Sequence, residues 1–203
     1  MKKFLILMIA ALAVMIPVTA QAQQLFDFLG QALVPTGIPG TLTMYSVVND
    51  PAPAETPLPL DFANFQYTLV IDGLVLDVDG SPQEYSGGAI TIFEDAVTAA
   101  DYALPGTFFD GTAILSGTFV SLDRTMFTAT LGTASGVVDW TGGTRLGEMA
   151  PQDATGWLFF TGINAHASQV VDGYDEAWDG KVEPIDPIVP SETDSWGGVK
   201  SLY

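Results

Sequence analysis

Hydrophobic and polar residues alternate through the middle of the chain with the period of two that is typical of β-strands. Apolar side chains occupy the odd positions over 65–71 and then the even positions over 74–78, on either side of Asp72 and Gly73. A two-residue hairpin predicts this change of phase, because the residues that flank its turn face the same side. A single strand with a β-bulge predicts it too. We favour the hairpin.

Further segments rich in Val, Thr, Ile and aromatic residues predict more strands, with Gly, Pro and Asp between them. One of these strands, GWLFFTG, is fully apolar, and a helical turn is predicted near 145–149. The strand segments are 41–48, 89–94, 112–122, 125–131, 136–141 and 156–162. Seven to nine strands with short turns and little helix predict a mainly β fold, either an antiparallel β-sandwich or a closed β-barrel. The pattern leaves both open.

The distribution of proline and charge divides the chain into four parts. Residues 1–22 form a signal peptide, and 23–61 form a Pro-rich N-terminal segment with one short strand. Residues 62–169 hold the core of the β domain. Residues 170–203 are acidic and rich in proline. Because proline cannot donate to a strand ladder, we interpret this last part as an irregular appendage.

The first 22 residues have the three parts of a secretory signal peptide. Two lysines precede an apolar run over 4–18, and Ala20 and Ala22 follow at the spacing of a signal-peptidase site. The apolar run is short for a membrane span. We therefore expect an exported protein, periplasmic or extracellular. The absence of cysteine in an exported chain indicates a bacterium.

Charge restricts the partners of the protein. The chain has a formal net charge of −18, and removal of Lys2 and Lys3 would leave four Lys and Arg against 24 Asp and Glu, or −20. The electric field of such a negatively charged chain repels nucleic acids and anionic membranes and attracts divalent cations. We expect no nucleic-acid partner and no transmembrane helix after cleavage, and the oligomeric state stays open.

One acidic stretch, GYDEAWDGKVEPID over 173–186, resembles a calcium loop in its spacing of acids around a glycine. In a helix-free version of the twelve-residue loop, the ligands would be the side chains of Asp175, Asp179, Glu183 and Asp186 and the main-chain carbonyl of Lys181. The third loop position is an alanine and prolines follow the loop, so a true EF-hand is excluded. A weak calcium site and a solvated acidic turn remain the alternatives.

Other catalytic and metal chemistries have little support in the residue inventory. His166 is the single histidine, which disfavours a histidine zinc site, and there is no Gly-x-Ser-x-Gly motif or cysteine nucleophile. Trp140 and Trp157 fall in predicted strands and are expected in the core. Trp178 and Trp196 fall in the acidic appendage, where a large apolar ring is expected to dock on its own domain or on a partner.

These observations predict a non-enzymatic exported β domain with a binding or surface-structural role, to which calcium could add stability. Two alternatives remain: a small secreted hydrolase that uses two carboxylates in the manner of a glycosidase, and an outer-membrane β-barrel. The C-terminal segment 194–203 contains spaced apolar residues and a lysine. It is a candidate to pack on its own domain or to bind a partner protein or a cell surface, with a frayed end as the alternative.

The signal-peptide pattern makes a direct prediction about the mature protein. Cleavage after Ala22 should give a chain that begins at Gln23, because the small residues at positions 20 and 22 fit the peptidase. N-terminal sequencing of the exported protein measures this. A mature chain that still begins at Met1 would contradict the export prediction.

Overall fold

A computed structural model describes residues 26–49, 58–149 and 151–184, and these form one closed barrel of eight antiparallel strands. The predicted mainly β, antiparallel fold is confirmed, and of the two predicted architectures the barrel is the one formed. The signal peptide and residues 185–203 lie outside the described residues. The strands are β1 (Phe26–Leu33), β2 (Thr41–Asn49), β3 (Gln66–Val78), β4 (Gln83–Asp95), β5 (Thr112–Met126), β6 (Leu131–Gly142), β7 (Trp157–Asn164) and β8 (Glu176–Glu183).

Each strand pairs with the one before it, and β1 pairs with β8 to close the barrel. At this seam Phe28 pairs with Gly180, and Gly30 pairs with Trp178. On the other side of β8, Gly180 pairs with Thr161 of β7. Among the described residues, the closed ring leaves no sheet edge that could pair with another chain.

Aromatic side chains fill the interior of the barrel. Phe159 stacks on Phe28 with ring centroids 5.3 Å apart, and its ring also contacts Phe119 at 5.4 Å and Trp178 at 6.2 Å. All four side chains are buried. An eight-stranded barrel has an interior just wide enough for side chains to fill, so this packing is the core of the protein.

The phase change at Asp72-Gly73 is a bulge within one strand, so the hairpin prediction is wrong. β3 runs without a turn from Gln66 to Val78. Its pairing with β2 shifts between Leu42 and Met44. Gly73 has a positive φ of 74°, a conformation that glycine adopts without strain. A bulge and a hairpin change the phase alike, and the long-range pairing with β2 and β4 decided between them.

Three short 3-10 helices lie in the connections, over Pro105–Phe108, Leu146–Glu148 and Pro151–Ala154. The helical turn predicted near 145–149 is confirmed as the second of these. Beside it, the Arg145 guanidinium donates to the Glu148 carboxylate and, at 2.8 Å, to the carbonyl of Pro59. Arg145 therefore ties the segment at 58–65 to the connection between β6 and β7.

Three segment predictions were wrong. β1 lies within the segment predicted to hold a single strand, and β8 lies within the predicted irregular appendage. β5 continues through Asp123 and Arg124, where a turn was predicted. The physical reason is the same in each case: distant strands supply the hydrogen bonds, and the interior of the barrel buries side chains such as Phe26 and Trp178. Pro184 comes after β8 has ended.

The close approach of β8 to its neighbours predicts different tolerances at two nearby glycines. A Cβ on Gly180 would meet the carbonyl oxygen of Phe160, and it would lie 2.6 Å from Cβ of Thr161, whereas one on Gly162 meets only the Asp179 carbonyl oxygen at 3.7 Å. We expect Gly180→Ala to cost about 1–3 kcal/mol, because backbone must move. Gly162→Ala should change stability by less than about 1 kcal/mol. Urea unfolding midpoints measure both, and equal effects would contradict the packing.

Candidate functional site

The residues predicted to bind calcium lie along an extended strand rather than in a loop. Asp179, Lys181 and Glu183 occupy alternate positions of β8, and such side chains share one face about 6.6 Å apart. Asp175 precedes the strand, and its carboxylate accepts a hydrogen bond of 2.8 Å from the backbone N–H of Val34. Eight residues of strand separate positions 175 and 183 by about 26 Å. The structure therefore does not bring the described ligands together.

The outer face of β8 has its own local electrostatics. The Lys181 ammonium pairs with the Glu183 carboxylate at 2.8 Å. Burial, together with the neighbouring Asp179 carboxylate, raises the pKa of Asp27, and Lys181 opposes this shift. Within 26–49, 58–149 and 151–184, no group of three or more His, Cys, Asp or Glu side chains could hold a metal ion. Asp186 lies outside the described residues, so calcium binding stays a prediction.

A second group of polar residues lies inside one end of the barrel, and we call it the inner polar cluster. It consists of Gln83 on β4, Tyr85 on β4, Arg124 on β5, Glu176 on β8 and Trp178 on β8. Arg124 donates to both carboxylate oxygens of Glu176, from Nε at 3.2 Å and from Nη2, and its Nη1 donates to Oε1 of Gln83 at 2.6 Å. The guanidinium thus connects three strands across the interior.

Every member of the inner polar cluster has a partner. Nε1 of Trp178 donates to Glu176 at 2.9 Å, and the Tyr85 hydroxyl donates to Gln83 at 3.2 Å. Burial raises the pKa of Tyr85 to about 12, an effect that Arg124 opposes and Glu176 reinforces. Arg124 and Glu176 are 9% and 3% exposed. A buried pair with satisfied hydrogen bonds is suited to hold strands in register rather than to exchange protons with a substrate.

A third group lies on the outer wall of the barrel, and we call it the outer aromatic cluster. It consists of Tyr45 on β2, Tyr102, Phe108 and Phe109 in the connection between β4 and β5, and Tyr174 before β8. Phe108 lies 5.6 Å from Tyr45 and 4.9 Å from Tyr102, and Tyr174 lies 5.8 Å from Tyr102. The rings pack as one contiguous group that crosses two connections and a strand, with Phe108 fully buried.

Hydrogen bonds hold the outer aromatic cluster in place. The Tyr102 hydroxyl donates to the carbonyl of Leu29 at 2.9 Å, and the Tyr174 hydroxyl donates to the carbonyl of Tyr102 at 3.0 Å. On the barrel side, the Thr68 hydroxyl donates to the carbonyl of Phe108 at 2.6 Å. These bonds fix both connections on the barrel wall, so the rings are preorganised.

Part of the outer aromatic cluster remains open to solvent, next to polar groups. Phe109 is 50% exposed, and its ring lies 6.5 Å from the half-buried Tyr45. Burial and the nearby Asp72 carboxylate raise the pKa of Tyr45. The Thr43 hydroxyl donates to Asp72 at 3.0 Å. An apolar ring surface beside a carboxylate and a hydroxyl can stack on a ligand and also hydrogen-bond to it.

The structure describes three of the four tryptophans and the single histidine that the sequence analysis considered. Trp140 and Trp157 are buried in the barrel, as predicted for core residues. Trp178 is fully buried too, which confirms that it docks on its own domain, whereas Trp196 lies outside the described residues. His166 is exposed, with Nδ1 2.9 Å from the Ser168 hydroxyl.

Sequence reasoning missed both clusters. Arg124 and Glu176 are inward-facing charges on β5 and β8, at positions where the sequence predicted a turn and an irregular appendage. A buried charge of one sign predicts a partner of the other sign, but only the fold could pair two residues 52 positions apart. The outer aromatic cluster joins rings from three distant segments, so periodicity could not reveal it.

The fold and these sites define the protein as a closed antiparallel β-barrel with a packed interior. Comparisons with protein-family models, with curated proteins and with solved structures find no match to this chain. No helix among the described residues is long and apolar enough to cross a membrane. The geometry of the sites therefore carries the argument for function.

The buried ion pair predicts a large difference between two carboxylates on the same strand. Glu176→Ala should cost about 3–5 kcal/mol, because it leaves the Arg124 guanidinium buried without a counter-charge. Glu183→Ala, the matched control, removes a more exposed pair with Lys181 and should cost less than about 1 kcal/mol. Chemical unfolding measures both.

The combined variant Arg124→Met, Glu176→Leu tests the cause of that cost. It should recover much of the loss, because no buried charge is left unpaired. A Glu176→Ala variant as stable as Glu183→Ala would contradict the structural role of the cluster.

Proposed function

We propose that this protein is an exported, non-enzymatic β-barrel domain with a binding or surface-structural role, and that the outer aromatic cluster is its binding surface. The observation that carries the proposal is the half-exposed ring of Phe109, held against Tyr45 beside the Thr43–Asp72 pair. A large apolar ring left in solvent on a preorganised surface is typical of a recognition site.

The chemistry of this surface favours a neutral ligand with both an apolar face and hydroxyl groups. A net charge near −20 for the mature chain repels anions. The face of an aromatic ring packs against the C–H face of a sugar, and Asp72 and Thr43 are placed to accept or donate hydrogen bonds. A neutral polysaccharide outside the cell meets these requirements.

The hydrolase alternative has less support from the buried and half-buried glutamates. Glu176 is paired with Arg124. Glu94 accepts a hydrogen bond of 2.8 Å from the Tyr67 hydroxyl, and one of its oxygens lies 3.9 Å from the Arg145 guanidinium. A glycosidase needs one carboxyl group that holds a proton and a second that faces the substrate. Both of these side chains instead have structural partners.

The outer-membrane alternative has less support from the polarity of the two barrel faces. A membrane barrel carries apolar residues on its outward face and a polar interior. Here buried apolar side chains such as Leu69 and Ile71 point inward, while Asp179, Lys181 and Glu183 follow the outward face of β8. This distribution supports a barrel that is surrounded by water.

Three parts of the proposal continue to rest on the sequence alone. Export follows from the signal-peptide pattern over 1–22, and a bacterial origin follows from an exported chain without cysteine. Stabilisation by calcium rests on the acids at 175–186 and stays a prediction. The binding or surface role of the outer aromatic cluster can be tested independently of all three.

Substitution of the exposed ring tests the binding role. Native-gel affinity electrophoresis in soluble neutral glucan, xylan and mannan should retard the wild-type protein in at least one of them. Phe109→Ala should weaken this binding by about 3–10-fold, the loss expected for one stacking contact. Phe127→Ala is the matched control, because Phe127 is 68% exposed but lies in the turn between β5 and β6. This variant should bind the glycan as the wild type does.

Two results would oppose this proposal. One is a wild-type protein that none of the three glycans retards, and the other is equal binding by Phe109→Ala. Chromatography of the glycan after incubation tests the non-enzymatic part, since shortened products would favour the hydrolase alternative.

A further inference from the structure

A second apolar surface lies on the outside of the barrel, on β5, β6 and β7, and we call it the β5–β7 wall. It consists of Val120, Val137, Leu158 and Phe160. Val137 pairs directly with Leu158 across β6 and β7, and Val120 lies in the irregularity of β5 between Phe119 and Ser121, where Ser121 pairs with Val137. The four side chains therefore lie next to one another.

The β5–β7 wall is open to solvent in the described part of the chain. Val120 is 60% exposed, Leu158 is 41% exposed and Phe160 is 48% exposed. Isolated apolar residues are common on protein surfaces, but a contiguous group that includes a phenylalanine usually marks a contact surface. The outer face of the adjacent β8 is charged instead, with Asp179 and Lys181.

The described chain ends beside this wall. Glu183, the last residue of β8, pairs with Leu158, and neighbouring strands lie about 4.8 Å apart. Residues 185–203 leave from this point. The twelve residue-to-residue steps from Pro184 to Trp196 can span up to about 40 Å when extended, so the segment is long enough to reach Leu158 and Phe160.

The composition of 191–203 matches the β5–β7 wall. Trp196, Val199 and Leu202 are spaced by three residues, so one face of a turn would be apolar. Lys200 lies among them, and Asp179 at the edge of the wall carries the opposite charge and is exposed. The segment thus offers apolar residues and a cation to an apolar wall whose border on β8 carries Asp179 and Glu183 on either side of Lys181.

We infer that residues 191–203 dock on the β5–β7 wall of their own chain, with Trp196 against Leu158 and Phe160. This contact is separate from the outer aromatic cluster, and it does not rest on the proposed binding function. Docking buries the exposed part of the wall and leaves the glycan-binding surface free. The wall supplies apolar contacts that can hold residues 191–203 in place.

Thermal unfolding of the wild-type, Phe160→Thr and Val75→Thr proteins, each as the full chain and truncated after Pro190, tests this inference. Truncation after Pro190 should lower Tm by roughly 4–8 °C, because the buried apolar area of the wall is lost. In the Phe160→Thr variant the same truncation should change Tm by less than about 2 °C. Val75→Thr is the control variant, since Val75 is an exposed apolar residue of β3 and truncation should retain its full effect there.

Each outcome of the thermal experiment has one meaning. An effect of truncation that disappears in Phe160→Thr and persists in Val75→Thr supports docking on the β5–β7 wall. An unchanged Tm after truncation of the wild-type protein overturns it. An effect that persists in Phe160→Thr also overturns it, because the segment then packs elsewhere.

Cross-linking distinguishes this occupant from a second copy of the protein. The chain has no cysteine, so a Leu158→Cys, Val199→Cys variant carries a single defined pair. Under oxidising conditions docking in the same chain gives a monomeric disulfide that migrates faster in a non-reducing gel. A cross-linked dimer as the main product, or no cross-link, would overturn docking within one chain. This inference predicts that glycans retard the truncated protein as strongly as the full chain. A loss of retardation on truncation would therefore bear on the proposed binding function and not on the docking.

Discussion

The pairing of β1 with β8 is the constraint on which the rest of the structure depends. It joins residues about 150 positions apart, with Phe28 opposite Gly180 and Gly30 opposite Trp178. Both glycines lie close to a neighbouring strand: a Cβ on Gly30 would lie 2.7 Å from Cβ of Ser46 on β2, and a Cβ on Gly180 would collide with the backbone of β7. Once this seam forms, the sheet has no free edge and the aromatic core around Phe159 is enclosed.

Closure also brings charges into the interior and so makes their pairing obligatory. Glu176 enters the barrel with β8, and the Arg124 guanidinium on β5 neutralises it across the interior. An unpaired charge there would cost several kcal/mol. In the part of the chain that the structure describes, Arg124, Arg145 and Lys181 each form an ion pair with a carboxylate. The scarce positive charges of this acidic chain thus hold strands and connections together.

Because side chains fill the interior, the surfaces with room for a partner lie on the outside of the barrel. The connection between β4 and β5 and the segment before β8 fold against the outer wall and assemble the outer aromatic cluster, with Phe109 left half exposed. On another part of the outer wall, the β5–β7 wall faces the point where residues 185–203 leave. We propose that these two surfaces serve separate roles, one for a ligand and one for residues 191–203.

The sequence by itself determined the class of fold, because an alternation of period two is a local property of a strand. It also predicted that Trp140 and Trp157 are core residues. The sequence did not reveal β1, β8 or the continuous β3, since Pro, Gly and acidic residues lower strand propensity locally and the compensating hydrogen bonds come from distant strands. The calcium pattern predicts a loop for the same reason, whereas barrel closure extends Asp179, Lys181 and Glu183 along β8. Only the tertiary structure could assemble the inner polar cluster and the outer aromatic cluster, because each joins side chains whose positions depend on long-range register.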